Sequence, residues 1–91
     1  MELRWTQEAA ADLERIAGYL FDTAPERATD LVRTIYRAPS ALLKFPHSGR
    51  IGRKDGTREL VLSPLPYVVI YAVGGDAIHV VRILHAAQRW P

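Results

Sequence analysis

The sequence predicts an α+β fold: a short N-terminal strand, an antiparallel two-helix hairpin, and then a three-stranded antiparallel meander. Three observations carry this expectation. Apolar residues recur at helical spacing through the first half of the chain. A stretch rich in Gly, Pro and basic residues, "FPHSGRIGRKDGT", interrupts that pattern. Three segments of mostly apolar, strand-forming residues then follow at short intervals.

Each element has a local reason. "ELRW" alternates, and it can form an edge strand ending at Thr6, a residue type suited to cap a helix N-terminus. Ala10, Leu13, Ile16, Ala17, Leu20 and Phe21 then recur at helical spacing with polar residues between them, including Asp12, which predicts a helix from about Gln7 to Phe21. "DTAP" punctuates the chain. Pro25 suits the first turn of a second helix, where its missing N–H has no helical partner anyway. Ala28, Leu31, Val32, Ile35, Leu42 and Leu43 continue one apolar stripe through Pro39, so a kink is expected near that proline. The short connection makes the two helices an antiparallel hairpin. "FPHSGRIGRKDGT" is expected to be a loop. Strands are expected at about Arg58–Ser63, Tyr67–Val73 and Ala77–Leu84, joined by "PLP" and "GGD". Such short connections favour antiparallel pairing, with the helical hairpin covering one face of the sheet.

Length and composition bound the function. The 91 residues make a single domain, 1–91, with one modest core and no repeat or linker. A chain of this size buries only about 60% of its unfolded surface, so a partner would steady it. There is no cysteine, which removes disulfides and thiolate metal sites. The three histidines lack ligand spacing, so no metal and no cofactor is expected. No apolar run approaches the roughly 20 residues of a membrane span, and a signal-peptide pattern is missing; a cytoplasmic location is expected. The net charge of +2 hides an asymmetry: residues 1–43 carry five Arg against seven acids, and residues 44–91 carry seven Lys and Arg against three. Lys44, Arg50, Arg53, Lys54 and Arg58 cluster around a single acid, Asp55, a pattern suited to a polyanion or an acidic protein.

Two arginines stand on strands that are otherwise nearly apolar. By alternation Arg58 shares a face with Leu60 and Leu62, and Arg82 with Ile78, Val80 and Leu84. Each guanidinium needs a carboxylate, a carbonyl or a ligand anion; helix acids and a bound anion both remain open. His79 reads as structural, His47 as a phosphate contact in the basic loop, and His85 as a group able to move a proton near the arginines. No phosphate-binding glycine loop and no serine triad is present.

"FPHSGR", "TRELVL", "PYVVIYAV" and "GDAIHVVRILHAAQRWP", in that order after two helices, resemble the ParE/RelE superfamily of toxins from bacterial type II toxin–antitoxin modules, also called plasmid-stabilisation proteins. The resemblance spans essentially the whole chain. It implies growth arrest, neutralised by a cognate antitoxin in a toxin–antitoxin hetero-oligomer. ParE-like members poison DNA gyrase by binding; the "P-x-x-GR" segment from Pro46 to Arg50 and the "ILHAAQRW" ending resemble this branch, which is favoured. RelE-like members cleave ribosome-bound mRNA, and there Arg58, Arg82 and His85 would be catalytic. On either mechanism His47, Arg50, Arg53, Lys54, Arg58, Arg82 and Arg89 are the expected contacts to target or nucleic acid. A third alternative is a nontoxic basic module that binds RNA or a peptide.

Overall fold

The computed structural model describes residues 1–91. Strand β1 (Glu2–Trp5) leads into helix α1 (Gln7–Thr23) and helix α2 (Pro25–Arg37), and a 3-10 helix, η1 (Ala38–Leu43), follows directly. Strands β2 (Arg50–Ile51), β3 (Arg58–Val61), β4 (Tyr67–Gly74) and β5 (Ala77–His85) complete the chain.

The local signals act as their chemistry requires. Thr6 caps α1, its hydroxyl accepting from the Ala9 amide at 3.0 Å. The same hydroxyl donates to the Val81 carbonyl at 2.8 Å, which ties the start of α1 to β5. Pro25 occupies the first turn of α2. Pro39 marks a change of helix type: the α-helix stops at Arg37 and the chain tightens into η1, which keeps Pro39 and Leu42 buried on the same apolar stripe.

The sheet is larger than a three-stranded meander. It has five strands in the order β1-β5-β4-β3-β2. β1 lies parallel to β5, with Glu2 opposite Ala77 and Trp5 opposite Val80. The expected loop contains β2, whose Arg50 and Ile51 pair with Glu59 and Arg58. Two residues are too short for a periodicity signal, and a pairing between opposite ends of the chain leaves none at all.

One face of the sheet packs on the helices. Tyr67, Val69, Tyr71, Ile78, Val80 and Ile83 meet Ala9, Leu20, Ala28, Ile35 and Leu42 in the main core. The other face carries Val68, Ile70 and Leu84, with Val81 and Trp90 packed against them. Leu84 therefore lies on the opposite face from Ile78 and Val80, contrary to strict alternation along β5. The cause is a β-bulge: Tyr71 pairs with Val80 while Ile70 pairs with Arg82, leaving Val81 as the extra residue. In α1 the buried positions are Ala9, Asp12 and Leu20, whereas Phe21 is 49% exposed and Ala10 is also exposed.

Candidate functional site

Arg82 is held from α1. Its Nε donates to Asp12 Oδ2 at 2.7 Å and its Nη2 to Oδ1 at 3.0 Å, a planar fork on a planar carboxylate. The Ile83 amide adds a bond to Oδ2 at 2.9 Å, and Arg15 donates to Oδ1. Asp12 is only 1% exposed. Burial pushes its carboxyl up, but the hydrogen bonds from Arg82, Ile83 and Arg15 together outweigh that and hold it below the ordinary 3.8. The same contact raises Arg82 above its usual value. Of the two partners open to this arginine, a helix acid is the one present.

Arg58 is anchored differently. Its Nη1 donates to the carbonyls of Gly49 (2.9 Å) and His47 (3.2 Å), and no carboxylate reaches it. Glu59, the next residue, points to the other face and accepts from Arg50 Nε at 2.8 Å. Beside Arg58, the fully buried Tyr71 hydroxyl donates to the Pro46 carbonyl at 2.8 Å and accepts from the Gly49 amide at 2.9 Å. A Cβ on Gly49 would lie 2.7 Å from the Tyr71 ring and hydroxyl and 2.8 Å from the Glu59 carbonyl. The glycine of "P-x-x-GR" is thus required by the close approach of the loop to Tyr71. Together Arg58 and Tyr71 fix the backbone that presents exposed His47 and Arg50.

On the helix-free face, Trp90 folds back onto Val68, Ile70 and Leu84. Lys54 Nζ stands 5.7 Å from the centre of its indole ring, which joins the C-terminal segment to the basic loop. Arg50, Arg53, His85 and Gln88 border a small hollow of about 100 Å³ beside this indole. His85 is exposed and sits edge-on to Tyr67 at 5.8 Å. Its Nδ1 accepts from the Ala87 amide at 3.1 Å, so the neutral ring carries its proton on Nε2. The structure thus gathers Arg50, Arg53 and Lys54 around one face, sets His85 at the end of β5 where it borders both this hollow and the helix side of the sheet, places His47 and Arg58 toward the loop, and leaves Arg89 exposed near the C-terminus.

A second, larger hollow of about 560 Å³ opens between the helical hairpin and the β3–β4 turn. Leu20, Leu31, Ile35 and Tyr67 line its apolar floor, and Arg15 and Arg27 stand among its walls. Tyr19, 61% exposed, lies at the same opening. Burial, and the neighbouring Tyr19, push the Tyr67 phenol above its usual value, so it remains a neutral donor. No cluster of His, Asp or Glu suited to a metal ion is present, and no helix is long and apolar enough to cross a membrane.

Two of the residues that organise these sites carry weak sequence signals. Asp12 reads as one more polar residue of an amphipathic helix; its only signal is its spacing, three residues after buried Ala9 and four before half-buried Ile16. Tyr71 reads as a core aromatic, and nothing along the strand announces the loop contact made by its hydroxyl.

A strand, a helical hairpin over one face of a mixed sheet, and a patch of basic and aromatic residues on the other define a small α+β protein. Residues 3–90 match the family model for the ParE toxin of the type II toxin–antitoxin system parDE, and the chain belongs to this toxin family. It is 39% identical over 89 residues to the protein Y4kP of Sinorhizobium fredii, covering 98% of this chain and 92% of that one. It is 38% identical over 84 residues to toxin RelE2 of Caulobacter vibrioides, covering 92% and 93% of the two chains. Among solved structures, a chain of the chromosomal ParDE toxin–antitoxin system from P. aeruginosa superposes with a TM-score of 0.85 at 32% identity, over 93% of this chain and 95% of that one. A conserved hypothetical protein of Helicobacter pylori, HP0894, shares the fold alone, with a TM-score of 0.61 at 16% identity over 97% of each chain. Family membership implies a cognate antitoxin as protein partner.

Proposed function

We propose that this toxin arrests growth by binding and poisoning DNA gyrase, without a hydrolytic step of its own. The observation that carries the proposal is the Arg82–Asp12 fork. An arginine already neutralised by a buried carboxylate has little charge to offer a phosphoryl transition state. The Tyr71 hydroxyl is likewise committed on both sides, to Pro46 and Gly49. On this reading Arg82 and Arg58 are anchors, and His47, Arg50, Arg53, Lys54 and Arg89 form the surface offered to the target.

One observation favours the RelE-like alternative. His85 is exposed at the end of β5 beside Arg50 and Arg53, where an imidazolium released from the Ala87 contact can donate a proton to RNA. Purified chain added to a gyrase supercoiling assay and to a ribosome–mRNA cleavage assay separates the two. The expected result is loss of supercoiling with mRNA intact; cleavage of ribosome-bound mRNA with unimpaired gyrase overturns the proposal. If cleavage occurs, His85→Gln should reduce it by roughly 10²–10⁴-fold, the usual scale for losing a general acid. A chain that arrests no growth when expressed alone is the nontoxic binding module instead.

The antitoxin seat follows from charge and shape. An amphipathic tail carrying acids would place its apolar side chains in the hollow between hairpin and sheet and its carboxylates on Arg15 and Arg27. Arg27→Glu should weaken antitoxin binding while leaving target inhibition by the free toxin in place.

A further inference from the structure

The outer edge of β1 is unpaired, because β1 ends the strand order. The Glu2 amide bonds to the Asp76 carbonyl at 2.8 Å and the Thr6 amide to the Val80 carbonyl at 3.0 Å, so the even-numbered peptide groups face β5. Alternation turns those of Leu3 and Trp5 to the outside. An open edge of this kind is a template for another strand, and proteins usually blunt it with charges that repel a second copy. Here the charges do the opposite.

Leu3 and Trp5 pack toward the core, and Glu2 and Arg4 project from the other face, both well exposed. They are bonded to each other at 3.0 Å through Arg4 Nε. A two-fold axis through Leu3, perpendicular to the sheet, pairs β1 with β1 of a second copy in antiparallel fashion. Leu3 then faces Leu3, and each Glu2 faces the Arg4 of its neighbour. Both helical layers stay on the same side. Centring on Glu2 or on Arg4 would set like charges opposite each other, and a one-residue slip would turn the helices of the two copies to opposite faces. The Leu3-centred register also sets Met1, 58% exposed, opposite Trp5, whose ring already stacks on Tyr36 at 5.6 Å.

We propose that the β1 edge is a self-complementary interface between two copies of this chain, joining their sheets into one of ten strands through Leu3 and reciprocal Glu2–Arg4 pairs. The closed two-fold makes the assembly a dimer and not a filament. Four residues a side make it weak and reversible.

Sedimentation of the full chain over a concentration series tests this, since the 10.2 kDa monomer should give way to a species of twice that mass. Glu2→Arg and Arg4→Glu should each abolish the dimer, with melting temperatures unchanged as a control for folding. An equimolar mixture of the two variants should restore it, because each strand again meets opposite charges. Amide exchange at Leu3 should slow as concentration rises. A chain that stays monomeric throughout, a dimer indifferent to both charge reversals, or a mixture that fails to associate overturns the proposal. So does slowed exchange at Leu3 that appears only when antitoxin is added, which would assign the edge to an antitoxin strand.

Discussion

Replacing Asp12 by Asn keeps the side-chain shape and removes its charge, so the Arg82 fork meets one acceptor and one donor in place of two acceptors. Removing one partner of a buried ion pair costs about 3–5 kcal/mol. The Arg82 side chain retains 27% exposure, so water can reach it, which places this case near the lower end, at about 3 kcal/mol. For a domain of this size about 4–8 °C is lost per kcal/mol, so the melting temperature at pH 7 should fall by roughly 12–24 °C. The pH dependence supplies an internal control. The folded Asp12 carboxyl titrates below 3.8, so its stabilisation is complete above that value and is lost as pH falls through the lower, folded value. The gap between parent and Asp12→Asn should therefore begin to narrow below about pH 4, as first the unfolded and then the folded parent takes up a proton at this site. Melting curves followed by circular dichroism from pH 7 down to pH 3 measure both effects. An Asn variant that melts within about 3 °C of the parent at pH 7 would refute the view of Asp12 as the clamp between α1 and β5.

Three further outcomes are expected. Gly49→Ala should destabilise by about 1–3 kcal/mol through overpacking against Tyr71, and shifted amide resonances for residues 46–50 would report the displaced loop. Tyr71→Phe should cost about 1–3 kcal/mol by stranding the Gly49 amide and the Pro46 carbonyl, read in denaturant melts; a neutral result would mean that water replaces the hydroxyl. Arg82→Lys keeps the charge and loses the fork, so it should lower the melting temperature while target inhibition by the folded protein is retained; normal stability with lost inhibition would make Arg82 a target contact.

Much of the architecture was legible because it is local. Thr6, Pro25 and Pro39 set helix boundaries through their own backbone chemistry, and short turns force β3, β4 and β5 into antiparallel order. What escaped depends on distant partners. β1 finds β5 across the length of the chain, and Asp12 is buried only because Arg82 and the Ile83 amide lie there to meet it. The bulge at Val81 breaks the period-two rule from which the face of Leu84 was inferred. The basic loop was recognisable by charge, but its shape is dictated by Tyr71 and Arg58, two residues that alternation places only in the sheet. The histidine at the end of β5 was visible as a titratable group, yet the Ala87 contact that selects its tautomer arises from a turn with no distinctive motif.

The pairing of β1 with β5 also governs when the protein can exist as it is made. A ribosome delivers the chain from its N-terminus, so β1 and α1 emerge first and wait for nearly the whole of translation before their partners appear. Until Arg82 and Ile83 have been added, Asp12 has only Arg15 beside it and the apolar faces of Leu3 and Trp5 have no strand to lie against. Contacts of such wide sequence separation also form slowly. A prematurely terminated product lacks the strand at the centre of the sheet's connections to β1, β4 and α1. Synthesis itself thereby delays the fold: the sheet can close onto β1 only after the last strand is complete, an interval in which a cognate antitoxin already present can be waiting.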